Sequence, residues 1–207
     1  MKREDVQVNK ITTPFKGYNR VDQYYIKYRL FDGSWSQEID REVFERGHGV
    51  IVILFDPELD KLVLVEQFRP GAFAAVSSPW FNASASPWTV ECVAGNLIDG
   101  ELPKDVAARE SKEEAGCDIK DLIPVGHYLV SPSGSSESVF VFCARIDASE
   151  VGGIHGVQGE GEQTRVLVMP VMEVFDWLDS GKILAAGAVL SLQWFKLNYE
   201  DLRLRWQ

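Results

Sequence analysis

The chain has 207 residues, a formal net charge of -10, and 45% hydrophobic and 25% charged residues. This length corresponds to one domain, or one domain with a small appended piece, and suffices to bury a core without disulfide or metal support. The negative charge argues against a general nucleic-acid binder, because such proteins need a basic surface to displace counterions. An acidic protein can still act on phosphates when divalent cations sit between its carboxylates and the anion.

The sequence also predicts a cellular compartment. Three cysteines, Cys92, Cys117 and Cys143, each beside apolar neighbours, are typical of free thiols in a reducing environment. No apolar core follows the polar residues 1–5, so no signal peptide is visible. The longest apolar run, 50–55, is too short to cross a bilayer. We therefore expect a cytoplasmic protein with no membrane or nucleic-acid partner.

In chain order, the residue patterns predict five strands, one helix, three further strands and two terminal helices. Strands are predicted at 23–30, 36–45, 49–55, 61–68, 88–93, 122–130, 137–145 and 164–169, and helices at 103–115, 171–178 and 185–199. The Ala-, Ser- and Pro-rich stretch 71–88 and the Gly-rich acidic stretch 152–161 are predicted loops. This order favours an α+β fold, an α/β/α sandwich with a mixed sheet. The only candidate boundary lies near residue 47, between an amino-terminal β segment (1–47) and a main domain (48–207).

The predicted helix 103–115 carries the strongest chemical signal. At 100° per residue, Glu110, Glu113 and Glu114 lie within one arc of about 100°. Glu110 and Glu114 are one turn apart, a spacing at which like charges destabilise a helix. Arg109 can orient one of these carboxylates through bidentate hydrogen bonds. Carboxylates that point the same way from a tightly held helix suit a hard cation, although for the glutamates alone a solvated acidic face would be the favoured interpretation.

The wider spacing decides between these interpretations. Gly95, five residues, Glu101, seven residues and then 109–117 (Arg-Glu-Ser-Lys-Glu-Glu-Ala-Gly-Cys) resemble the Nudix box, G-x5-E-x7-R-E-U-x-E-E-x-G-U, where U is a bulky aliphatic residue. Every glycine, glutamate and arginine of that pattern is present. Ser111 and Cys117 depart from it at the two aliphatic positions, which weakens packing slightly and touches no ligand.

The resemblance continues outside the box, over roughly residues 22–200. The stretches 41–48, 65–69 and 91–95 are similar to bacterial ADP-ribose pyrophosphatases of the Nudix superfamily. Pro132 lies sixteen residues after Gly116, which is the mark of the ADP-ribose-hydrolysing subfamily. The resemblance implies the Nudix α/β/α sandwich with an amino-terminal β segment.

The resemblance also implies roles for the box residues. Glu110 and Glu114 would bind Mg²⁺, or Mn²⁺ in its place, together with the main-chain carbonyl of Ala94. Glu113 would act directly or through water. Arg109, with Glu101, would support the loop and the helix carboxylates.

The family's catalytic base lies outside the box, on a loop that corresponds here to 156–163. We expect Glu160 to be the base and Glu162 to be an added metal ligand, and the reverse assignment stays open. The three glycines around the two glutamates of this loop also suit a closing segment, although without the box a solvated flexible loop would fit equally well.

Substrate-binding candidates lie on either side of the box. Arg69 is expected to contact a phosphate or the terminal ribose, and Arg41 and Arg46 to do likewise, from a neighbouring subunit if the protein is a homodimer that exchanges amino-terminal β segments. Glu91 would hydrogen-bond the substrate or pair with an arginine. For each arginine, a surface salt bridge is an equally good interpretation. Pro132 belongs to the same expected substrate site.

The predicted function is Mg²⁺-dependent hydrolysis of the pyrophosphate of ADP-ribose, a small-molecule nucleotide sugar, to AMP and ribose 5-phosphate. The first alternative is hydrolysis of GDP-mannose or another nucleoside diphosphate sugar. The second is a non-catalytic module that senses ADP-ribose, which is disfavoured because all the box carboxylates are present and no DNA-binding domain fits in the chain.

Overall fold

A computed structural model of the protein describes residues 1–81, 85–156, 159, 161 and 163–206. The chain divides into two units. The first consists of Met1–His48 with Leu129–Val139, and the second of Gly49–Tyr128 with Phe140–Gln207. Among the described residues, no helix combines the length and the apolarity that a membrane span requires.

The first unit contains a three-stranded antiparallel sheet in the order β1-β2-β3. Its strands are β1 Val6–Lys16, β2 Arg20–Tyr28 and β3 Ile39–Glu45. The segment 129–139 joins this unit at the end of β3, where the Phe44 N–H donates to the Gly134 carbonyl at 2.8 Å. Strands β2 and β3 correspond to the predicted stretches 23–30 and 36–45.

Strand β1 was not predicted. Ten of its eleven residues are exposed, so its sequence lacks the alternation of buried and exposed residues that indicates a strand. It also contains Pro14, which removes a backbone donor. The proline lies within an irregularity of the pairing with β2, between Thr12 and Phe15. The strand therefore owes its conformation to pairing with β2 and not to a pattern of its own.

The second unit is built on an eight-stranded sheet in the order β10-β11-β5-β4-β9-β8, with β6 paired to β5 and β7 paired to β4. Its strands are β4 Gly49–Asp56, β5 Lys61–Phe68, β6 Trp88–Glu91, β7 Val93–Asn96, β8 Asp121–Leu129, β9 Ser138–Arg145, β10 Ile154–His155 and β11 Thr164–Pro170. Its helices are α1 Pro70–Val76, α2 Pro103–Ala115, α3 Val171–Asp179 and α4 Ala186–Trp206.

Strand β4 lies between helices on both faces of the sheet. All eight of its residues are buried, as expected for a strand covered on both sides. Val52 belongs to the core cluster that contains Val106 of α2. Phe55 points the other way and meets Phe195 of α4, with ring centroids 5.0 Å apart. The predicted α/β/α sandwich is confirmed.

The sheet is mixed, as predicted. Strands β5, β6 and β7 pair antiparallel to their neighbours. Strand β9 ends beside the end of β4, where the Ile146 N–H donates to the Phe55 carbonyl at 2.9 Å. These two neighbouring strands therefore run in the same direction.

Helix α2 has the predicted bounds because both of its ends are encoded locally. Pro103 occupies its first turn, where a missing N–H costs nothing. Gly116 follows the last turn at φ 67°, and its N–H donates to the Lys112 carbonyl at 3.0 Å. The Cys117 N–H donates to the Ser111 carbonyl at 2.9 Å, so the chain turns back on the helix directly after this left-handed residue.

Three other predictions differ from the structure. The expected loop 71–88 begins with the short helix α1 instead. The expected strand 88–93 is divided at Cys92 into β6 and β7, because the chain passes there from pairing with β5 to pairing with β4. Helix α4 continues past Tyr199 to Trp206, since Leu202 and Trp206 extend its buried face.

Candidate functional site

Glu114 lies at the centre of the site and is held from three directions. Its residue is only 5% exposed, so its carboxylate needs partners inside the protein. The Ala94 N–H of β7 donates to Glu114 Oε2 at 3.0 Å, and Gln67 Nε2 of β5 donates to Oε1 at 3.4 Å. The hydroxyl of Thr164, at the start of β11, donates to the Glu114 main-chain carbonyl at 3.0 Å.

Glu110 lies directly against the backbone of β7, one turn before Glu114. A Cβ atom built on Gly95 would be 1.8 Å from Glu110 Oε1 and 2.0 Å from Cδ. Only a glycine leaves room for the carboxylate here, which gives the first glycine of the box a physical reason. The carboxylates of Glu110 and Glu114 therefore reach adjacent residues, Gly95 and Ala94, of the same strand.

Arg109 connects three glutamates of the box. Its Nη1 lies 2.7 Å from Glu110 Oε1 and 3.1 Å from Glu113 Oε2, and its Nε lies 3.4 Å from Glu101 Oε1. Burial lowers the pKa of Arg109, but the charge of Glu110 and the hydrogen bond to Glu113 outweigh that cost, so the pKa is raised above its usual value. The sequence predicted one oriented carboxylate, whereas the structure shows a single guanidinium that holds three.

The two departures from the box pattern are accommodated without an unpaired group. Ser111 is fully buried, and its hydroxyl donates to the Ala107 carbonyl one turn earlier at 2.7 Å. Cys117 is also buried, and burial raises the pKa of its thiol to about 12. Neither side chain belongs to the acidic cluster, in agreement with the sequence interpretation.

Arg69 and Glu91 form a bidentate ion pair, with Nε–Oε1 at 3.0 Å and Nη2–Oε2 at 2.9 Å. The Thr89 hydroxyl also donates to Glu91 Oε1 at 2.5 Å. Thr89 is directly opposite Gln67 in the β5–β6 ladder, and alternate residues of a strand share a face. The pair therefore lies on the sheet face from which Gln67 reaches Glu114.

Three of the predicted substrate-binding residues, Arg41, Arg46 and Pro132, belong to the first unit. Arg41 Nη1 donates to the Asp40 carbonyl at 2.6 Å. Arg46 Nε lies 3.5 Å from Glu137 Oε1. Pro132 lies in the segment 129–139 that joins this unit.

Glu160 and Glu162, the predicted base and added metal ligand, lie outside the described residues. The residues on either side of their segment are described. The Gly156 N–H donates to the Glu113 carbonyl at 3.3 Å, and Thr164 binds the next carbonyl, that of Glu114. Gly156 and Thr164, which lie before and after the two glutamates, therefore both contact the last turn of α2.

Each of the three histidines makes a structural contact. His48 Nδ1 lies 2.8 Å from Ser138 Oγ, and His127 stacks on Phe140 with ring centroids 3.8 Å apart. The ring of His155 covers Gly116, where an added Cβ would be 2.8 Å from Cε1.

The donor set fits a hard divalent cation. Its atoms are the carboxylate oxygens of Glu110 and Glu114 beside the backbone of β7, and oxygen is the ligand that Mg²⁺ and Mn²⁺ prefer. Gly95 provides the space that a Cβ would fill. Among the described residues, no three Asp, Glu, His or Cys side chains are grouped tightly enough to hold an ion by themselves. Two glutamates alone supply fewer oxygen ligands than such an ion takes.

Comparison with known proteins accounts for this arrangement. A family model, the NUDIX domain, matches residues 45–187, which include the whole box. The chain belongs to the Nudix family. An ADP-ribose pyrophosphatase of Escherichia coli (strain K12) is 39% identical over 204 residues, covering 99% of this chain and 94% of the relative. The ADP-ribose pyrophosphatase of Haemophilus influenzae is 36% identical over 205 residues, covering 99% and 92%.

Two further comparisons are more distant. One is with a relative that has a different name, and the other is with a solved structure of low sequence identity. A GDP-mannose pyrophosphatase of Cronobacter sakazakii is 33% identical over 162 residues, covering 76% of this chain and 78% of the relative. A crystal structure of an ADP compounds hydrolase has a TM-score of 0.69 over 96% of both chains, at 17% identity. That likeness supports the fold alone.

Proposed function

We propose that this Nudix protein hydrolyses the pyrophosphate bond of ADP-ribose to AMP and ribose 5-phosphate, with Mg²⁺ as its metal ion. The supporting observation is the placement of the Glu110 and Glu114 carboxylates against adjacent residues of β7. The name shared by two relatives that match almost the whole chain supports the substrate.

In this proposal Glu110, Glu114 and the Ala94 carbonyl hold the metal. When bound, divalent cations neutralise the charge of the two phosphates that flank the scissile bond. Mn²⁺ is expected to substitute for Mg²⁺, because both ions take oxygen ligands.

The remaining box residues hold the carboxylates in place. Arg109 balances the charge of Glu110 and Glu113, so the two carboxylates can lie close together on one helix. Glu113 is the most exposed of the three glutamates that Arg109 contacts, with 40% of its side chain accessible. It is therefore free to act on the site directly or through water.

Glu160 is the proposed general base and Glu162 an added metal ligand, with the reverse assignment as the alternative. A base must come within about 3 Å of the water from which it takes a proton. The attachment of Gly156 and Thr164 to the last turn of α2 supports this assignment, since their segment begins and ends beside the box.

Arg69 and Glu91 are the proposed substrate contacts of the second unit, because their pair lies on the same sheet face as Gln67 and Glu114. The exposed fraction of the Arg69 side chain, 38%, leaves it accessible to an anion. Arg41 and Arg46 would complete the site from the amino-terminal β segment of a second copy, in a homodimer that exchanges residues 1–47, and Pro132 is a further proposed substrate contact. Light scattering of the full chain and of a chain lacking 1–47 would test that assembly.

GDP-mannose hydrolysis is the second candidate. Its support is a 33% identical relative of that name, which aligns with only 76% of this chain. The ADP-ribose relatives also align over the amino-terminal unit, so ADP-ribose is the better-supported substrate.

The deciding experiment measures phosphate release, after added phosphatase, from ADP-ribose, GDP-mannose and dATP with Mg²⁺ and with EDTA. We expect metal-dependent turnover that is greatest on ADP-ribose and is lost in Glu114→Gln. Greater turnover of GDP-mannose than of ADP-ribose would make GDP-mannose the proposed substrate. Tight binding of ADP-ribose without turnover of any compound would favour a sensing module and refute the proposed reaction.

A further inference from the structure

Two buried polar residues outside the box, Gln67 and Thr164, bind the same glutamate. They are directly opposite each other in the β5–β11 ladder, so their side chains leave the sheet from neighbouring positions on one face. Gln67 is 5% exposed and Thr164 is fully buried. Buried polar side chains in a sheet are costly unless they are hydrogen-bonded, and here both are directed at Glu114.

The two contacts fix different parts of Glu114. Gln67 Nε2 donates to the carboxylate, at Oε1, from 3.4 Å. The Thr164 hydroxyl donates to the main-chain carbonyl from 3.0 Å. That carbonyl belongs to the last turn of α2, where carbonyls lack partners inside the helix. One contact therefore sets the direction of the side chain and the other fixes the position of its backbone.

The geometry points to Gln67 and Thr164 as positioning residues that hold Glu114 ready to bind the metal ion. We call the two residues the Gln67–Thr164 clamp. With the Ala94 N–H on Oε2, the clamp restricts both carboxylate oxygens and the helix end that carries them. The inference rests on the proposed function only in taking Glu114 to be a metal ligand.

The clamp also explains how a site on a helix end can be rigid. A glutamate side chain has three rotatable bonds, and ordering them when the ion arrives would reduce its affinity. Strands β5 and β11 fix that conformation in advance, because both belong to the central sheet. Removing such an outer contact typically weakens metal binding about 10- to 100-fold.

The test uses variants that remove one donor with little change of shape. Gln67→Met removes the amide and keeps the length of the side chain, and Thr164→Val removes the hydroxyl and keeps the branching. Thr164→Ser restores the hydroxyl. Ser191→Ala is the matched control, because the buried Ser191 hydroxyl also donates to a main-chain carbonyl, that of Gly187 in α4 at 2.7 Å.

The first readout needs no turnover: the dissociation constant of Mn²⁺, measured from the electron paramagnetic resonance of the free ion without substrate. We expect about a 10- to 100-fold weaker affinity in Gln67→Met and Thr164→Val, near wild-type affinity in Thr164→Ser, and no change in Ser191→Ala. The metal concentration for half-maximal turnover should rise by the same factors. In a Glu114→Gln background, neither substitution should weaken Mn²⁺ binding further.

Unchanged Mn²⁺ affinity in both donor-deleted variants would overturn the inference. An equal loss of Mn²⁺ affinity in Ser191→Ala would also overturn it, because it would show a general effect on the fold. So would a loss of Mn²⁺ affinity in the Glu114→Gln background as large as the loss in the wild-type background. If the wild type binds Mn²⁺ but does not hydrolyse ADP-ribose, the proposed function fails, and the binding comparison still decides the role of the clamp.

Discussion

The close contact between Gly95 and Glu110 leads to a quantitative prediction for Gly95→Ala. An added Cβ would be 1.8 Å from Glu110 Oε1, whereas ordinary contacts begin at 3.4 Å. The carboxylate must therefore move by about 1.6 Å, the difference between these distances. Metal–ligand distances tolerate changes of only about 0.2 Å, so Glu110 would no longer reach the ion from this position.

We expect the substitution to abolish function without unfolding the protein. The obstructing atoms are the end of a flexible side chain, and the backbone of Gly95 is not in the left-handed region that excludes alanine. The free energy of unfolding should change by no more than about 1 kcal/mol. A displacement of this size should lower kcat by at least about 100-fold and weaken Mn²⁺ binding about 10- to 100-fold.

Gly126→Ala provides the matched control, because its added Cβ would be 2.4 Å from the hydroxyl of Tyr128, the end of another side chain, and no proposed ligand is involved. Turnover of ADP-ribose, Mn²⁺ binding and thermal unfolding would be compared in both variants. Wild-type turnover in Gly95→Ala would refute the reasoning. So would a full additional loss when Gly95→Ala is combined with Glu110→Gln, since the effect should be transmitted only through Glu110.

Three further predictions concern charge and protonation. Arg109→Lys keeps the positive charge, but one ammonium group cannot replace the three planar guanidinium nitrogens that contact glutamates. We expect kcat/KM to fall at least about tenfold in Arg109→Lys and further in Arg109→Ala. Equal activity of the lysine variant and the wild type would contradict this prediction. Burial raises the pKa of the thiols of Cys92 and Cys117 to about 12, so iodoacetamide should label the native protein at pH 8 far more slowly than the unfolded protein, as measured by mass spectrometry. Above the ordinary thiol pKa of about 8.5 the unfolded chain loses protons first, so the free energy of unfolding should fall by up to about 1.4 kcal/mol per pH unit for each thiol, and the fall should be smaller in Cys92→Ala.

Local signals allowed both ends of helix α2 to be predicted. Pro103 marks the first residue of the helix, and Gly116 directly follows its last residue. The spacing of the box also identified the glutamates before their surroundings were known. In contrast, most of helix α1 was interpreted as loop because the stretch 71–88 as a whole is rich in Ala, Ser and Pro, although the alanines at its start favour a helix.

Contacts between distant parts of the chain could not be predicted in the same way. Gln67 lies 47 residues before Glu114, and Thr164 lies 50 residues after it. Their sequence contexts are those of ordinary strand residues, and only the β5–β11 register brings the two side chains to one point. The sequence interpretation allowed Glu91 to pair with an unspecified arginine. That this arginine is Arg69, and that the pair lies on the face of Gln67, depends on the pairing of β5 with β6.

The glutamates of the box carry more negative charge than the one arginine of the box can balance. Three carboxylates, those of Glu101, Glu110 and Glu113, share the guanidinium of Arg109, and Glu114 lies on the same helix. Four glutamates and one arginine give the fixed positions of the box a formal charge of -3. Under the proposed function, we expect such a site to repel a diphosphate until divalent cations bind and to attract it once they do. Metal binding should then precede productive binding of the substrate anion, which would let an acidic protein act on an acidic substrate without a basic surface.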